Sequence, residues 1–264
     1  MTHQLRAIWR FRYFWASLVR LDLRNRYRRS VLGIGWSLLN PIAMTVVFCI
    51  VFGRIMHQDR WQTYAPFLLA GMVIWEFIKG TAVQGCDSFV RAEAYIRQCP
   101  LPYAIYPLRT VLGTFIHFAI GMFVVIAGAA LVRGPDDPSP FTALWAVLPV
   151  LPLLFVFCWG VATIAAFAHV YFHDTKHLLE AGSQMYFFVT PIMYHRAVLE
   201  RQHLGWVADL NPVSVFLEAV RDPLLSGVPP AGGQYAAAAV LALAAFGLAC
   251  GTMAWLQKKV IFQL

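Results

Sequence analysis

The sequence predicts an all-α integral membrane protein with six transmembrane helices, an N-terminal interfacial helix and short re-entrant helices in an outer segment. Three observations carry that prediction. Hydrophobic residues make up 59% of the 264-residue chain and charged residues only 13%, where a soluble domain carries about 25% charged residues. Uncharged runs recur at lengths close to the roughly 20 residues that cross a bilayer. The cations sit at the ends of those runs, eight arginines falling within the first 29 residues.

Residues 1–30 form the first unit. Trp9, Tyr13, Leu18, Leu21 and Leu23 alternate with Arg6, Arg10, Arg12, Arg20, Arg24, Arg26, Arg28 and Arg29. This pattern suits a helix lying in the interface with guanidinium groups in the headgroup layer. Two roles fit it: a plain topology anchor, or a surface that also meets an anionic head or a partner protein. The arginines recur where a secretory signal would need its apolar stretch. Arg28-Arg29 is followed by a run long enough to span, without a small-residue cleavage site, so a twin-arginine leader is not expected.

Residues 31–264 form the six-span domain. The first span is Gly33 to Gly53, 21 uncharged residues. The second runs from about Thr63 to Phe89 and holds Glu76, Lys79 and Asp87 in its inner part. The third is Tyr103 to Val132, uncharged after Arg109, and Asp136-Asp137 between prolines mark the turn that follows. The fourth, Phe141 to Phe172, is uncharged over 32 residues, with Pro149 and Pro152 expected to kink it. A short fifth span covers about Leu178 to Tyr194, and a sixth Gln234 to Leu256. With the amino terminus inside, inner segments hold fourteen Lys/Arg and outer segments six. That bias and an even span count place both termini in the cytoplasm.

Residues 195–230 are the outer segment. His203 to Leu210 and Val213 to Leu225 are too short to cross and are bounded by Asn211-Pro212 and by Gly227, Pro229 and Pro230. Re-entrant helices sheltered by protein fit, and so does an outer loop with two surface helices.

Chemistry-bearing motifs are few. The chain has neither a phosphate-cradling GxxxxGK[ST] sequence, nor a dinucleotide GxGxxG turn, nor a GxSxG elbow. No nucleotide hydrolysis of its own is therefore expected. The five cysteines are scattered singly without metal spacing and read as small hydrophobes. His169, His173 and His177 are four apart, but they fall where the fourth span leaves the membrane, so a polar turn is expected and no metal site. Glu76 and Lys79, three apart in a span, form either a buried structural pair or an ion site. Trp36, Tyr186, Phe187 and Tyr194 are candidates to line a route for sugar, since aromatic faces stack on pyranose rings. The placement of the cations at membrane ends argues against nucleic acid as a partner.

The run Leu23-Arg24-Asn25-Arg26-Tyr27-Arg28-Arg29-Ser30-Val31-Leu32-Gly33-Ile34-Gly35-Trp36-Ser37-Leu38-Leu39-Asn40-Pro41 resembles the start of ABC-type polysaccharide export permeases, D-L-x-x-R-Y-x-x-S-x-L-G-x-x-W-x-x-x-x-P. That family handles O-antigen, capsule and teichoic acid. Tyr171 to Leu178, Thr190-Pro191-Ile192-Met193-Tyr194 and Asn211-Pro212 through Asp222 are similar to later stretches of the same family, with His173 where relatives often carry arginine. The resemblance implies a homodimer in the bacterial inner membrane with two copies of a cytoplasmic ATPase that binds ATP and Mg. It implies a coupling helix in the loop 91–102, with Arg91, Glu93 and Arg97 as ATPase-facing residues. It also implies an outer gate with Asn211, Glu218 and Arg221. For the head of a polyprenyl-pyrophosphate-linked glycan, Arg24, Arg26, Arg28 and Arg29 are the candidates. A small-molecule exporter, a membrane enzyme acting on lipid-linked sugars, and a proton-coupled carrier are the rival expectations.

Overall fold

A computed structural model of the chain describes residues 9–28, 30, 33–55, 61–98, 101–133, 143–257, 260 and 263. The described residues are helical throughout, without a strand. Helix α1 (Arg12–Arg26) precedes α2 (Trp36–Ile55), α3 (Trp61–Cys86), the short α4 (Glu93–Gln98) and α5 (Ile105–Arg133). Then follow α6 (Val150–Tyr171), α7 (Thr175–Val189), three short helices α8 (Arg196–Arg201), α9 (Gly205–Leu210) and α10 (Pro212–Leu225), and α11 (Gly232–Leu256).

α3 is the centre of the bundle. Its apolar window is 67% buried, and Leu68, Ile74, Phe77 and Trp75 make the core with residues from α5, α6, α7 and α10. Apolar attraction between helices is weak inside lipid, so close packing and interhelical hydroxyl bonds hold such bundles. Both are present. Thr81 and Thr114 Oγ1 atoms lie 3.0 Å apart, and Ser88 Oγ is 2.9 Å from Thr110 Oγ1, joining α3 to α5. Ala238, Ala242, Ala245 and Ala249 form a buried stripe on α11. Opposite it, Gly160 on α6 lets the backbones approach so closely that a Cβ there would lie 2.6 Å from the carbonyl carbon of Ala245.

Among the described residues, four helical segments are long and apolar enough to cross a membrane: Trp61–Cys86, Ile105–Leu131, Leu144–Tyr171 and Gly232–Leu256. α2 is apolar over Trp36–Phe52 only, and α7 has 15 residues, about 22 Å at 1.5 Å per residue. α7 is shorter than the expected fifth span because the Thr190-Pro191 step is extended and ends it. Pro149 and Pro152 do not kink a continuous helix. A 3-10 turn (Leu144–Val147) leads up to Pro149, which stands at the N-cap of α6, and Pro152 lies in its first turn. No intrahelical N–H bond is lost there, so proline starts a helix more readily than it bends one. The expected turn at Asp136-Asp137 lies outside the described residues.

Two ends of the bundle can be told apart. One carries α1, α4 and the α6–α7 turn; the other carries α8, α9 and α10. The apolar window of α11 is only 22% buried, leaving Val240, Leu243, Leu248 and Trp255 exposed along one side, as a lipid-facing helix requires.

Candidate functional site

At the α1 end, α1 is fastened to α5. The Arg109 guanidinium donates through Nε and Nη2 to the two carboxylate oxygens of Asp22, a bidentate fork. One turn further along α1, the Tyr27 hydroxyl lies 3.2 Å from the His117 ring, edge-on to it. Leu18 and Val19 bury the inward face. Arg24 and Arg28 are exposed, whereas the side chain of Arg26 and all of Arg29 lie outside the described residues. Of these four, the two described side chains thus lie exposed, Arg24 on α1 and Arg28 just past its end.

Behind α1 lies a cavity of about 590 Å³ lined by Asp22, Gln84, Asp87, Arg91, Arg109, Lys176 and Glu180 among others. It shares Gln84, Thr114 and His117 with a second cavity of about 220 Å³ between α2, α3 and α5. Trp36, 53% exposed, lines that second space with Asn40 and Glu76. Glu76 Oε1 accepts from Asn40 Nδ2 at 3.4 Å and lies 3.7 Å from Lys79 Nζ. The two cavities thus adjoin at Gln84, Thr114 and His117, and Glu76 lines the second.

Asp87, just past the end of α3, is the hub of this region. Its Oδ2 accepts from Arg91 Nη2 and from Lys176 Nζ, both at 2.9 Å, and His169 Nε2 is 3.9 Å from Oδ1. Burial pushes the Asp87 carboxyl up, but Lys176 and then Arg91 outweigh it and hold it below the usual carboxylate range. The group is an anion at neutral pH. Downstream, α4 buries Ile96 beside Ala92, Phe89 and Phe167. Glu93 and Arg97 pair at 2.9 Å on its outer side, with Arg97 about half exposed. Cys99 and Pro100 of the expected coupling loop lie outside the described residues.

The three histidines do not converge. α6 ends at Tyr171 and α7 starts at Thr175, so His169 is buried, His173 lies in the turn, and His177 is exposed near Glu180. Among the described residues no group of three metal-ligating side chains is assembled.

The other end is built around the break after α7. Asn211 is the N-cap of α10, its Oδ1 accepting from Val213 N at 2.9 Å and Ser214 N at 3.3 Å. The same oxygen accepts from the Tyr186 hydroxyl at 2.6 Å, while Nδ2 donates to Thr190 Oγ1 at 2.9 Å. Arg221, only 5% exposed, donates to the carbonyls of Pro191 and Ile192 at 3.0 and 3.1 Å and lies over the Phe67 ring. Although it belongs to the polar segment 195–230, its side chain faces the inside of the bundle. Folding turns it inward because the Thr190–Ile192 bend leaves carbonyls without helical donors. The Tyr64 hydroxyl donates to Met193 O at 2.8 Å. Glu218 instead faces Arg196, 3.4 Å away, which also holds Glu200 and Asp209. The hydrogen bond that Arg196 donates to Glu200, ahead of the other two carboxylates, raises the Arg196 pKa.

Of the aromatic candidates, Phe187 packs inside the chain against Phe48 and Trp75. Tyr186 is half-buried against Asn211, and the Tyr194 hydroxyl donates back to the carbonyls of Phe188 and Val189. Phe188, 62% exposed, occupies the outward face of α7 instead. Asp22, Tyr64, Asp87 and Arg109 carry much of the geometry without having been singled out as site residues. The one signal in the sequence was charge at span ends, at Asp87 and Arg109.

Residues 13–225 match the family described as ABC-2 type transporter. The chain is 26% identical over 208 residues to "O-antigen export system permease protein RfbA" of Klebsiella pneumoniae, covering 78% of each chain. It is 24% identical over 218 residues to the protein of the same name from Myxococcus xanthus, covering 81% of this chain and 80% of that one. To "Polysialic acid transport protein KpsM" of Escherichia coli it is 21% identical over 208 residues, covering 78% and 79%.

Proposed function

We propose that this chain, which belongs to the ABC-2 type transporter family, is the permease subunit of an ATP-driven exporter of lipid-linked polysaccharide. The observation that carries this is likeness over about four-fifths of the chain to curated permeases and transport proteins for O-antigen and polysialic acid. In this reading the substrate is a polyprenyl-pyrophosphate-linked glycan of the O-antigen or capsule kind. The transport subunit is a homodimer with two copies of a separate ATPase, which brings ATP and Mg, and it has no nucleic-acid partner.

In this reading the chain sits in the inner membrane with both termini in the cytoplasm. α2, α3, α5, α6, α7 and α11 make six spans, α2 and the 15-residue α7 completing their crossings with the irregular backbone next to them. The α1 end is cytoplasmic. Arg24, Arg26, Arg28 and Arg29 receive the pyrophosphate head at the inner leaflet, a role supported by the exposure of Arg24 and Arg28. Arg91, Glu93 and Arg97 face the ATPase, supported by the outward pairing of Glu93 with Arg97 on a helix that buries Ile96. The sugar chain threads the space between two copies, along faces that include Trp36, Tyr186 and Tyr194. α8, α9 and α10, through Asn211, Glu218 and Arg221, close the outer mouth.

The test is hydrolysis by the purified complex in proteoliposomes. Lipid-linked glycan from the same cell should stimulate ATP turnover, and the permease alone should turn over none. Stimulation by small hydrophobic compounds and indifference to glycan would put the chain in a different transporter class.

A further inference from the structure

We infer that Asp87 is a positioning residue that transmits movement of the α4 segment to α7. The inference rests on the proposal that an ATPase partner bears on α4. One carboxylate ties together three elements, two of them neighbours in sequence and the third 89 residues away. Asp87 lies at the end of α3, Arg91 in the 3-10 turn (Val90–Ala92) that enters α4, and Lys176 in the first turn of α7. Both cations donate to the same oxygen, Oδ2, at 2.9 Å. Any displacement of the Arg91 turn therefore acts on the oxygen that holds Lys176.

α7 is built to answer such a pull. Phe187 is its one buried residue. Its far end is fixed by the Tyr186–Asn211 hydrogen bond and by the Phe187 contacts with Trp75 and Phe48. Over its first two turns the side chains are half-buried or exposed, and the Lys176–Asp87 pair crosses from there to α3. A helix whose buried contact lies at one end and whose other end is held by an ion pair has the arrangement for a hinge motion about the buried end. The pair is partly sheltered, with the Asp87 side chain 15% and the Lys176 side chain 32% exposed, so it is less screened than a fully exposed salt bridge. The pivot end is also the end that Asn211 and Arg221 join to α10, so rotation of α7 reaches the segment around Pro191.

The experiment uses the complete complex of permease and ATPase in proteoliposomes and reads the ratio of glycan moved to ATP hydrolysed. Asp87→Asn, Lys176→Met and the two together are compared with Asp87→Glu and Lys176→Arg. The ratio should fall by about fivefold in Asp87→Asn and Lys176→Met, and the double variant should fall no further, since both remove one shared interaction. The charge-keeping variants should recover most of the ratio. A purely structural role would lower transport and hydrolysis together, leaving the ratio unchanged, and that result overturns the inference. So does a double variant whose loss is the product of the single losses. The wild-type complex separates the two levels: if it moves no glycan, the proposed function fails irrespective of Asp87.

Discussion

Arg221 occupies the space that Gly71 leaves open on α3: a Cβ at Gly71 would stand 1.9 Å from the guanidinium Nη2. The absence of one side chain on α3 thus permits an arginine on α10 to reach the backbone at the end of α7. Three elements are fixed by one glycine and one cation. Replacing Gly71 by alanine should push the guanidinium off the carbonyls of Pro191 and Ile192. Leaving such buried groups unpaired costs about 1–3 kcal/mol. Thermal unfolding of the purified chain should show a lowered midpoint for Gly71→Ala. Adding Arg221→Met should cost little more, because the contact is already lost.

Asn211 joins α7 to α10 through both ends of its amide. Alanine there removes the α10 cap, worth about 1 kcal/mol, and orphans the Tyr186 hydroxyl as well. Aspartate keeps the acceptor for Val213, Ser214 and Tyr186 but has no donor for Thr190 Oγ1. Thermal midpoints should therefore rank wild type above Asn211→Asp, and Asn211→Asp above Asn211→Ala. Equal midpoints for the two variants would remove the capping role.

Two helix glycines should respond oppositely to alanine. At Gly160 the new methyl would meet the Ala245 backbone at 2.6–2.7 Å, and overpacking of this kind costs about 1–3 kcal/mol. At Gly247 nothing lies within 4 Å, so alanine there should be neutral or stabilise by up to about 1 kcal/mol through reduced chain entropy. Unfolding in detergent distinguishes them, with Gly160→Ala lower and Gly247→Ala unchanged or higher.

The Asp22–Arg109 fork fastens α1 to the bundle. Asp22→Asn should loosen that helix and speed tryptic cleavage at Arg20 and Arg24 severalfold, an effect in line with loss of about 1–3 kcal/mol for a charged hydrogen bond. The swap Asp22→Arg with Arg109→Asp should restore protection. Unchanged cleavage in Asp22→Asn would mean that the packing of Leu18 and Val19 and the Tyr27–His117 contact hold α1 without the ion pair.

The long spans were legible because their apolar runs have no competitor. The expected second, third and sixth spans fall within a few residues of α3, α5 and α11, although none of their register was predicted. Asn211-Pro212 was legible as a boundary, since asparagine caps a helix and proline suits its first position. What the residues alone did not reveal depends on distant partners. Asp87 meets Lys176 across 89 residues, and Arg109 meets Asp22 across 87, so no local pattern marks either pair. The burial of Arg221 was not legible for a related reason. Counted by sequence it is one more outer cation, and only the bend at Pro191 gives it carbonyls to bind inside. The extra helix Arg196–Arg201 arose from a stretch with neither apolar periodicity nor a cap, held by Arg196 and its carboxylates.

Deleting the gene for this chain and locating the lipid-linked glycan tests the central claim most directly. Export by this permease predicts that undecorated cells accumulate full-length lipid-linked polysaccharide on the inner face of the cytoplasmic membrane, inaccessible to a glycosidase added to spheroplasts. Glycan that still reaches the enzyme at the wild-type level would contradict the account.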